Sequence, residues 1–242
     1  MIYKFIDNNG AEITVNSLSS LQALVESDTI KENTKVKAGL RGKWIKAEDL
    51  NELKFKDLDV LELWNKFDSV SVGASLDAEG KRGELMRKGT VWKQAIANRK
   101  RMIEVCPQVD FYISSTVGLV NSLHVCDLHK NWVDQGLLKP QDFNFNLLQY
   151  PFWQRMDLLP PEYKQQVKDK YEKHIEWLKD DDILTRATKG FESALNWMFK
   201  TDNQKFLASF FAQTRKYDKV RNENTIDVFP EWKELFDKYE KN

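Results

Sequence analysis

The stretch that decides the fold is SVSVGASLDAEGKRGELMRKGTVW, residues 69–92. It begins with an apolar run rich in β-branched residues, which predicts a strand, and it continues through a polar loop into a helical pattern. The predicted strand ends in a hydroxyl and a carboxylate, Ser75 and Asp77, and an acid–base pair, Glu84 and Arg87, follows in the loop. Because α/β proteins bind ligands where a strand feeds a helix, this stretch predicts a ligand site.

Two more strand–helix steps follow the first one. The predicted strands cover 71–77, 111–117 and 143–149, and helical patterns separate them. A β-α-β-α-β order predicts adjacent parallel strands that are joined by right-handed crossovers. The carboxyl ends of parallel strands share one rim, so we expect Asn121 and Gln149 to face the same ligand as the end of the first strand.

The predicted organisation is a small α+β domain followed by a larger α/β region. Residues 1–52 contain short strands, one helix with serine caps and a closing Trp44, which we expect in the core because so short a domain needs its large aromatic for burial. A charged connector places the boundary between about 50 and 58. Strand–helix alternation fills 57–151, and the pattern of 152–242 is helical throughout.

Composition excludes several classes of function. The 37 Lys and Arg balance the 37 Asp and Glu, which disfavours a nucleic-acid partner held by bulk charge. No run approaches the roughly 18 apolar residues that span a bilayer, and the first residues contain no signal-peptide core, so we expect a cytoplasmic protein without a membrane partner.

Several polar side chains carry simpler expectations. The two cysteines, Cys106 and Cys126, fit no disulfide or zinc spacing, so we expect reduced, partly buried thiols and no metal site. His174 lies in a charged helical pattern, and the basic stretch TRKYDKVR at 214–221 is typical of a solvated helix face. Asp77 is equally typical of a turn.

The N-terminal segments SLSSLQALVESDTIKENTKVKAG and WIKAEDL resemble the small GYF-related domain known as GYF_2. In that wider family, aromatic surfaces bind proline-rich peptides. The resemblance leaves two roles open for Trp44, which is either part of the core or a platform for a peptide.

Four later segments together resemble the second half of twitch-type radical S-adenosylmethionine proteins: SVSVGASLDAEGKRGELMRKGTVWKQAIANRKRM, FYISSTVGLVNSLHVCDLHKNWVDQG, FNFNLLQYP and FFAQTRKYDKVRNENTIDVFPE. The resemblance implies a partial parallel (β/α) barrel with a helical C-terminal region. It implies that Ser75, with Asp77 beside it, contacts the cofactor's ribose, and that Arg87 binds the cofactor's carboxylate.

The same resemblance assigns the adenine end of the cofactor to the next two strands. It implies that Val117 lies against the adenine, that Asn121 lies near the rim, and that the backbone around Leu148 contacts the adenine edge. These six side chains are the cofactor-binding residues that the sequence predicts, and no metal ligand is predicted beside them.

The chain departs from this family in its cluster motif. The C-x3-C-x2-C segment whose thiolates hold a [4Fe–4S] cluster is missing, as is the glycine-rich segment that holds the cofactor's amino group. We therefore expect weak binding of S-adenosylmethionine, and a cluster only if a complementary, cluster-bearing chain supplies one. The sequence leaves open whether the chain is an enzyme, and whether a homo-oligomer forms instead.

Two functions follow as hypotheses. The first is a truncated radical S-adenosylmethionine protein, or one part of a split enzyme. The alternative is a non-catalytic interaction protein, in which a GYF-like module is attached to a barrel-derived scaffold.

Overall fold

The computed structural model describes residues 1–54 and 59–240. The chain divides into two compact units, Met1–Leu63 and Trp64–Asn242, here called unit 1 and unit 2. The predicted boundary between 50 and 58 falls in part on residues 55–58, which lie outside the described residues.

Unit 1 is a four-stranded antiparallel sheet with one helix. Its strands are β1 (Tyr3–Ile6), β2 (Glu12–Val15), β3 (Lys35–Ala38) and β4 (Ile45–Lys46), in the order β2-β1-β3-β4, and its first helix is α1 (Leu18–Glu26). Ser17 caps α1, because its hydroxyl accepts a hydrogen bond from the backbone N–H of Ser20 at 3.0 Å. A short helix, α2 (Val60–Trp64), lies where unit 1 meets unit 2 in the sequence.

Trp44 does not belong to the core of unit 1. The core is formed by side chains from the first three strands, α1 and the segment after β4, among them Phe5, Leu21 and Val36. Trp44 is 37% exposed, and the Lys37 ammonium lies 4.6 Å from the centre of its ring. The predicted burial of Trp44 is therefore wrong, because aliphatic and aromatic side chains from longer elements already fill the space that it was expected to occupy.

Unit 2 contains a three-stranded parallel sheet. The strands are β5 (Ser71–Ala74), β6 (Asp110–Val117) and β7 (Phe143–Leu147), and β6 pairs with both neighbours. The predicted order and direction of the strands are confirmed. Both edge strands are shorter than predicted, so Asp77 and Leu148 lie in loops just beyond the carboxyl ends of their strands.

Helices fill the connections and the rest of unit 2. α3 (Gly80–Met86) and α4 (Trp92–Val105) connect β5 to β6, and α5 (Val125–Asp134) connects β6 to β7. The predicted helical region after Pro151 is confirmed, and its members are α6 (Pro161–Leu178), α7 (Arg186–Lys200), α8 (Leu207–Arg221), α9 (Thr225–Val228) and α10 (Lys233–Tyr239). The chain is thus a mixed α/β protein. None of the described helices is both long enough and apolar enough to cross a membrane.

The two faces of the parallel sheet differ. On one face β6 buries Phe111, which stacks on Trp132 of α5, with 6.3 Å between ring centres and 10° between ring planes. On the same face α7 approaches β7 so closely that a Cβ on Gly190 would lie 2.6 Å from the Cβ of Phe145. The opposite face carries half-buried or exposed polar side chains: Tyr112, Ser114, Thr116, Asn144 and Asn146. This set is called the polar sheet face below.

A pair of buried histidines links α5 to α6. His174 is only 5% exposed, and its Nε2 lies 3.0 Å from Nδ1 of His129, whose own Nε2 lies 3.0 Å from the Pro140 carbonyl. His129 stacks on Phe143, at 4.3 Å between ring centres. Burial lowers the pKa of each histidine to about 3, so both imidazoles are neutral in the folded chain. The prediction of a solvated His174 is therefore wrong, because the helix turns this position toward the aromatic core.

Candidate functional site

A cavity of 310 Å³ lies at the carboxyl ends of β6 and β7 and is called the strand-end cavity below. One wall is the loop after β6, residues 118–121, together with Leu148 after β7. Leu85 and Met86, at the end of α3, form a second wall. This volume lies at the lower end of the range of about 300–1,000 Å³ that small-molecule pockets occupy. Its position is the one where open α/β sheets bind ligands.

The loop after β6 can approach the opposite chain segment because it begins with glycine. A Cβ on Gly118 would lie 2.5 Å from the Gln154 carbonyl oxygen, which accepts a hydrogen bond from the N–H of Leu119 at 2.7 Å. Leu148 is held in the same wall, because its N–H donates to the Val117 carbonyl at 3.0 Å. Backbone bonds therefore set the shape of this wall.

Asn121 and Asp77 join the ends of β5 and β6 through a set of hydrogen bonds, called the Asp77–Asn121 network below. Asn121 is fully buried, and its Nδ2 donates to the backbone carbonyls of Asp77 and Thr116 at 2.8 and 3.0 Å. Its Oδ1 accepts from the N–H of Gly118 at 2.9 Å. The side chain of Asn121 thus holds the loop after β6 in the conformation that walls the cavity.

The carboxylate of Asp77 is bound by groups of the chain itself. Its Oδ1 accepts from the backbone N–H of Thr116 at 2.7 Å. Nε of Arg87 donates to Oδ2 at 2.7 Å, and Nη2 of Arg87 donates to Oδ1 at 3.3 Å, which is a two-point contact of the kind that guanidinium and carboxylate groups favour. The Asp77 side chain is 8% exposed, so these bonds form largely away from water.

The structure brings four of the six predicted cofactor residues close to the rim, but not in the predicted arrangement. Asp77 and Arg87 bind each other, Asn121 binds the backbone of Asp77, and both Asn121 and Leu148 line the cavity. Ser75 is exposed and lies outside the lining of the strand-end cavity. Val117 is fully buried in the covered face of the sheet, so the surface beside it is offered by the next residue, Gly118.

Glu84 and Arg87 do not form the pair that their spacing suggested. The carboxylate of Glu84 accepts a hydrogen bond from the backbone N–H of Trp92 at 2.8 Å, at the start of α4. Arg87 bonds to Asp77 instead. Each side chain therefore fixes a different end of the segment that connects β5 to α4.

The third wall of the cavity is α8, which the sequence had indicated only as a solvated helix face. The cavity is lined along one side of this helix by residues in an i, i+3, i+4, i+7 pattern: Thr214, Tyr217, Asp218 and Arg221. The signal in the sequence was this spacing of residues with aromatic and polar groups. It became informative only once the sheet had placed a cavity next to the helix.

The segment after α8 returns to the loop after β6 and holds it. The indole N–H of Trp232 donates to the Val120 carbonyl at 2.9 Å, and Nε2 of His124 contacts the Glu231 carboxylate. Burial lowers the pKa of His124, but hydrogen bonds to Asp127 and Glu231 outweigh that effect and raise its pKa above the usual value. The His124 ring lies between the carboxylates of Asp127 and Glu231, which favour its charged form, and it joins α5 to the C-terminal segment.

The described residues offer little for a metal or an iron–sulfur cluster. Within 1–54 and 59–240, no group of three or more His, Cys, Asp or Glu side chains is arranged to hold a metal ion. Cys106 and Cys126 are both buried, and no disulfide joins them. Burial raises the pKa of the Cys126 thiol, which disfavours the thiolate that binds iron.

The fold and the site define a mixed α/β protein with a cavity at the carboxyl ends of two strands of a three-stranded parallel sheet. Comparison with protein-family models, with curated proteins and with solved structures gave no match.

Proposed function

We propose that unit 2 is a partial barrel of the twitch-type radical S-adenosylmethionine class that binds the adenosyl end of S-adenosylmethionine in the strand-end cavity. One observation carries the proposal. The cavity is walled by Asn121, Leu148 and the backbone directly after Val117, and these are the positions that the family resemblance assigns to the rim and the adenine.

The amino acid end of the cofactor lacks the protein groups that would bind it in the family. A carboxylate suits a guanidinium fork, but the fork of Arg87 is bonded to Asp77. A [4Fe–4S] cluster does not fit this chain, because the sequence contains two cysteines where about four ligands are required. We therefore propose that this chain binds the ligand without starting radical chemistry, and that any cluster belongs to a partner chain.

With only the adenosyl end held, binding should be weak, with a dissociation constant on the order of millimolar, or about −4 kcal/mol. Ligand-observed NMR with adenosine and S-adenosylmethionine measures it. Val120 lines the cavity, so Val120→Phe should fill part of the space and abolish binding. Val220→Phe is the matched control, because Val220 is 77% exposed on α8.

Two results would contradict the proposal. One is an absence of adenosine binding at millimolar concentrations. The other is equal binding by the two Phe variants, because that would place the ligand outside the strand-end cavity.

A second candidate function concerns unit 1 and rests on the exposure of Trp44. An exposed indole with the Lys37 ammonium over its ring resembles the aromatic platforms that dock proline-rich segments. We propose that unit 1 binds an extended proline-rich peptide on Trp44. Titration with a synthetic decaproline should change tryptophan fluorescence in the wild type and not in Trp44→Ala. An unchanged dissociation constant in Trp44→Ala would contradict this function, and Ile13→Ala, a second exposed apolar position of unit 1, serves as the control.

A further inference from the structure

We infer that Arg221 and Tyr217 form an anion subsite of the strand-end cavity, so that the cavity selects adenosyl compounds that carry a phosphate or carboxylate group. This inference rests on the proposed function, because it names the class of adenosyl ligand that the same cavity prefers.

The first support is the distribution of charge around the cavity. Among the described residues that line it, Arg221 is the only lysine or arginine, and Asp218 and Glu223 are the only acids. The carboxylates of both acidic residues already bind other groups of this protein. Asp218 accepts bonds from the N–H and the hydroxyl of Thr225 at 3.0 and 2.7 Å, and Glu223 pairs with Lys88. Lys88 balances the charge of Glu223, and both carboxylate oxygens of Asp218 already accept bonds from Thr225. Arg221 is therefore the cationic hydrogen-bond donor of this lining.

The second support is that the guanidinium of Arg221 makes only weak contacts with the rest of the protein. Its Nη1 donates to the Leu85 carbonyl at 3.4 Å, at the long end of the hydrogen-bond range, and the guanidinium lies 5.2 Å from the centre of the Tyr217 ring. Both contacts are to uncharged groups. A guanidinium has five N–H donors, so most of its donors remain for a ligand while the ring sets its orientation.

The third support is the backbone that places Arg221 at the cavity mouth. α8 ends at Arg221, and Asn222 turns the chain with a φ of +52°, a left-handed conformation that asparagine tolerates better than most residues. This turn returns Glu223 and Thr225 to the cavity wall. The cation is thereby fixed at the end of a helix rather than on a free loop.

The contrast with Arg87 assigns the role to Arg221. Arg87 has its charge matched by Asp77 through two bonds, whereas the partners of Arg221 leave its charge unmatched. A phosphate or carboxylate that enters the cavity therefore gains more from Arg221, since breaking the bonds of Arg87 would also leave Asp77 buried without its counter-charge.

The test compares three probes by isothermal titration calorimetry at low salt: adenosine, adenosine 5′-monophosphate and S-adenosylhomocysteine. The monophosphate should bind about tenfold more tightly than adenosine, which is the effect of one charge-assisted contact near the surface. Arg221→Gln should remove this preference and leave adenosine binding unchanged, and Arg221→Lys should retain part of it. Lys219→Gln removes the same charge from α8 at a position outside the cavity lining and should retain the full preference.

The results distinguish failure of the anion subsite, failure of its assignment to Arg221 and failure of the proposed function. Equal binding of adenosine, adenosine 5′-monophosphate and S-adenosylhomocysteine would overturn the anion subsite and leave the proposed function intact. A preference that Lys219→Gln also removes would overturn the assignment to Arg221, because bulk charge would then explain it. Absence of binding by all three probes would overturn the proposed function and the subsite together. Comparison of the monophosphate with S-adenosylhomocysteine, whose carboxylate belongs to a zwitterion, shows whether phosphate or carboxylate is the preferred group.

Discussion

Replacing Asp77 by alanine should destabilise unit 2 by about 3 kcal/mol. The variant removes the acceptor of the Thr116 N–H, and an unsatisfied buried donor costs roughly 1–3 kcal/mol. It also removes the counter-charge of Arg87. Because the Arg87 side chain is 39% exposed, water screens this pair, and its loss should cost at most about 1 kcal/mol. For a unit of this size the total corresponds to a fall in Tm of about 6–12 °C.

Two further variants separate these contributions. Asp77→Asn retains an oxygen for the Thr116 N–H and loses only the charge, so it should cost about 1 kcal/mol. Arg87→Gln should cost the same or less. Tryptophan fluorescence during thermal and urea unfolding reports on unit 2, because Trp44 is the one tryptophan in the sequence before residue 64. The expected order of stability is wild type, then Arg87→Gln and Asp77→Asn together, then Asp77→Ala.

One result would refute this reasoning. If Asp77→Ala unfolds at the wild-type temperature but loses binding of S-adenosylmethionine, then Asp77 is a ligand-binding group and the Asp77–Asn121 network contributes little to stability. The adenosine titration provides the control, since the structural account predicts that any folded Asp77 variant keeps its strand-end cavity.

Three more predictions follow from buried groups in unit 2. Because burial lowers the pKa of His129 and His174 to about 3, the unfolded chain takes up protons below about pH 6.5 that the folded chain does not. The free energy of unfolding should therefore fall by up to about 1.4 kcal/mol per pH unit for each histidine as the pH decreases from 6.5 to 3. Urea midpoints that do not change with pH in this window would contradict the neutral pair. Gly190→Ala should cost about 1–3 kcal/mol in urea unfolding, because its Cβ would overlap that of Phe145, whereas a wild-type midpoint would show that α7 moves away freely. Cys126, which is 4% exposed, should react with a thiol reagent only in denaturant, and rapid labelling of the native chain at this position would show that α5 opens.

The sheet could be predicted from the sequence because its signals are local and repeated. Alternating apolar residues marked β6, and the helices between the strands required a parallel arrangement. The partner of Asp77 could not be predicted in this way. Its closest neighbours are Arg87, ten residues later, and the N–H of Thr116 on another strand. Only the register between β5 and β6 decides that these groups meet.

The errors at Trp44 and His174 have a common physical origin. In both cases burial was predicted from the type of residue: a tryptophan was expected in the core of a small domain, and a histidine on the solvent-exposed face of a charged helix. Burial is decided by which positions the longer elements leave open. In unit 1 the core was already filled by Phe5, Leu21 and Val36. In unit 2, His129 and the ring of Phe191 create a place where the imidazole of His174 is hydrogen-bonded and packed.

The polar sheet face also determines how this sequence is able to diverge. Parallel sheets are usually covered on both sides, but here hydroxyl and amide groups meet water, and Asn146 donates to Ser114 across two strands at 2.8 Å. Ser114, Thr116 and Asn144 are half-buried and Asn146 is exposed, so exchange among serine, threonine and asparagine at these four positions should cost little. Valine or isoleucine at the same positions would create a flat apolar plane, on which two copies of the chain could stack face to face. Purifying selection on this face would therefore act against self-association rather than for folding.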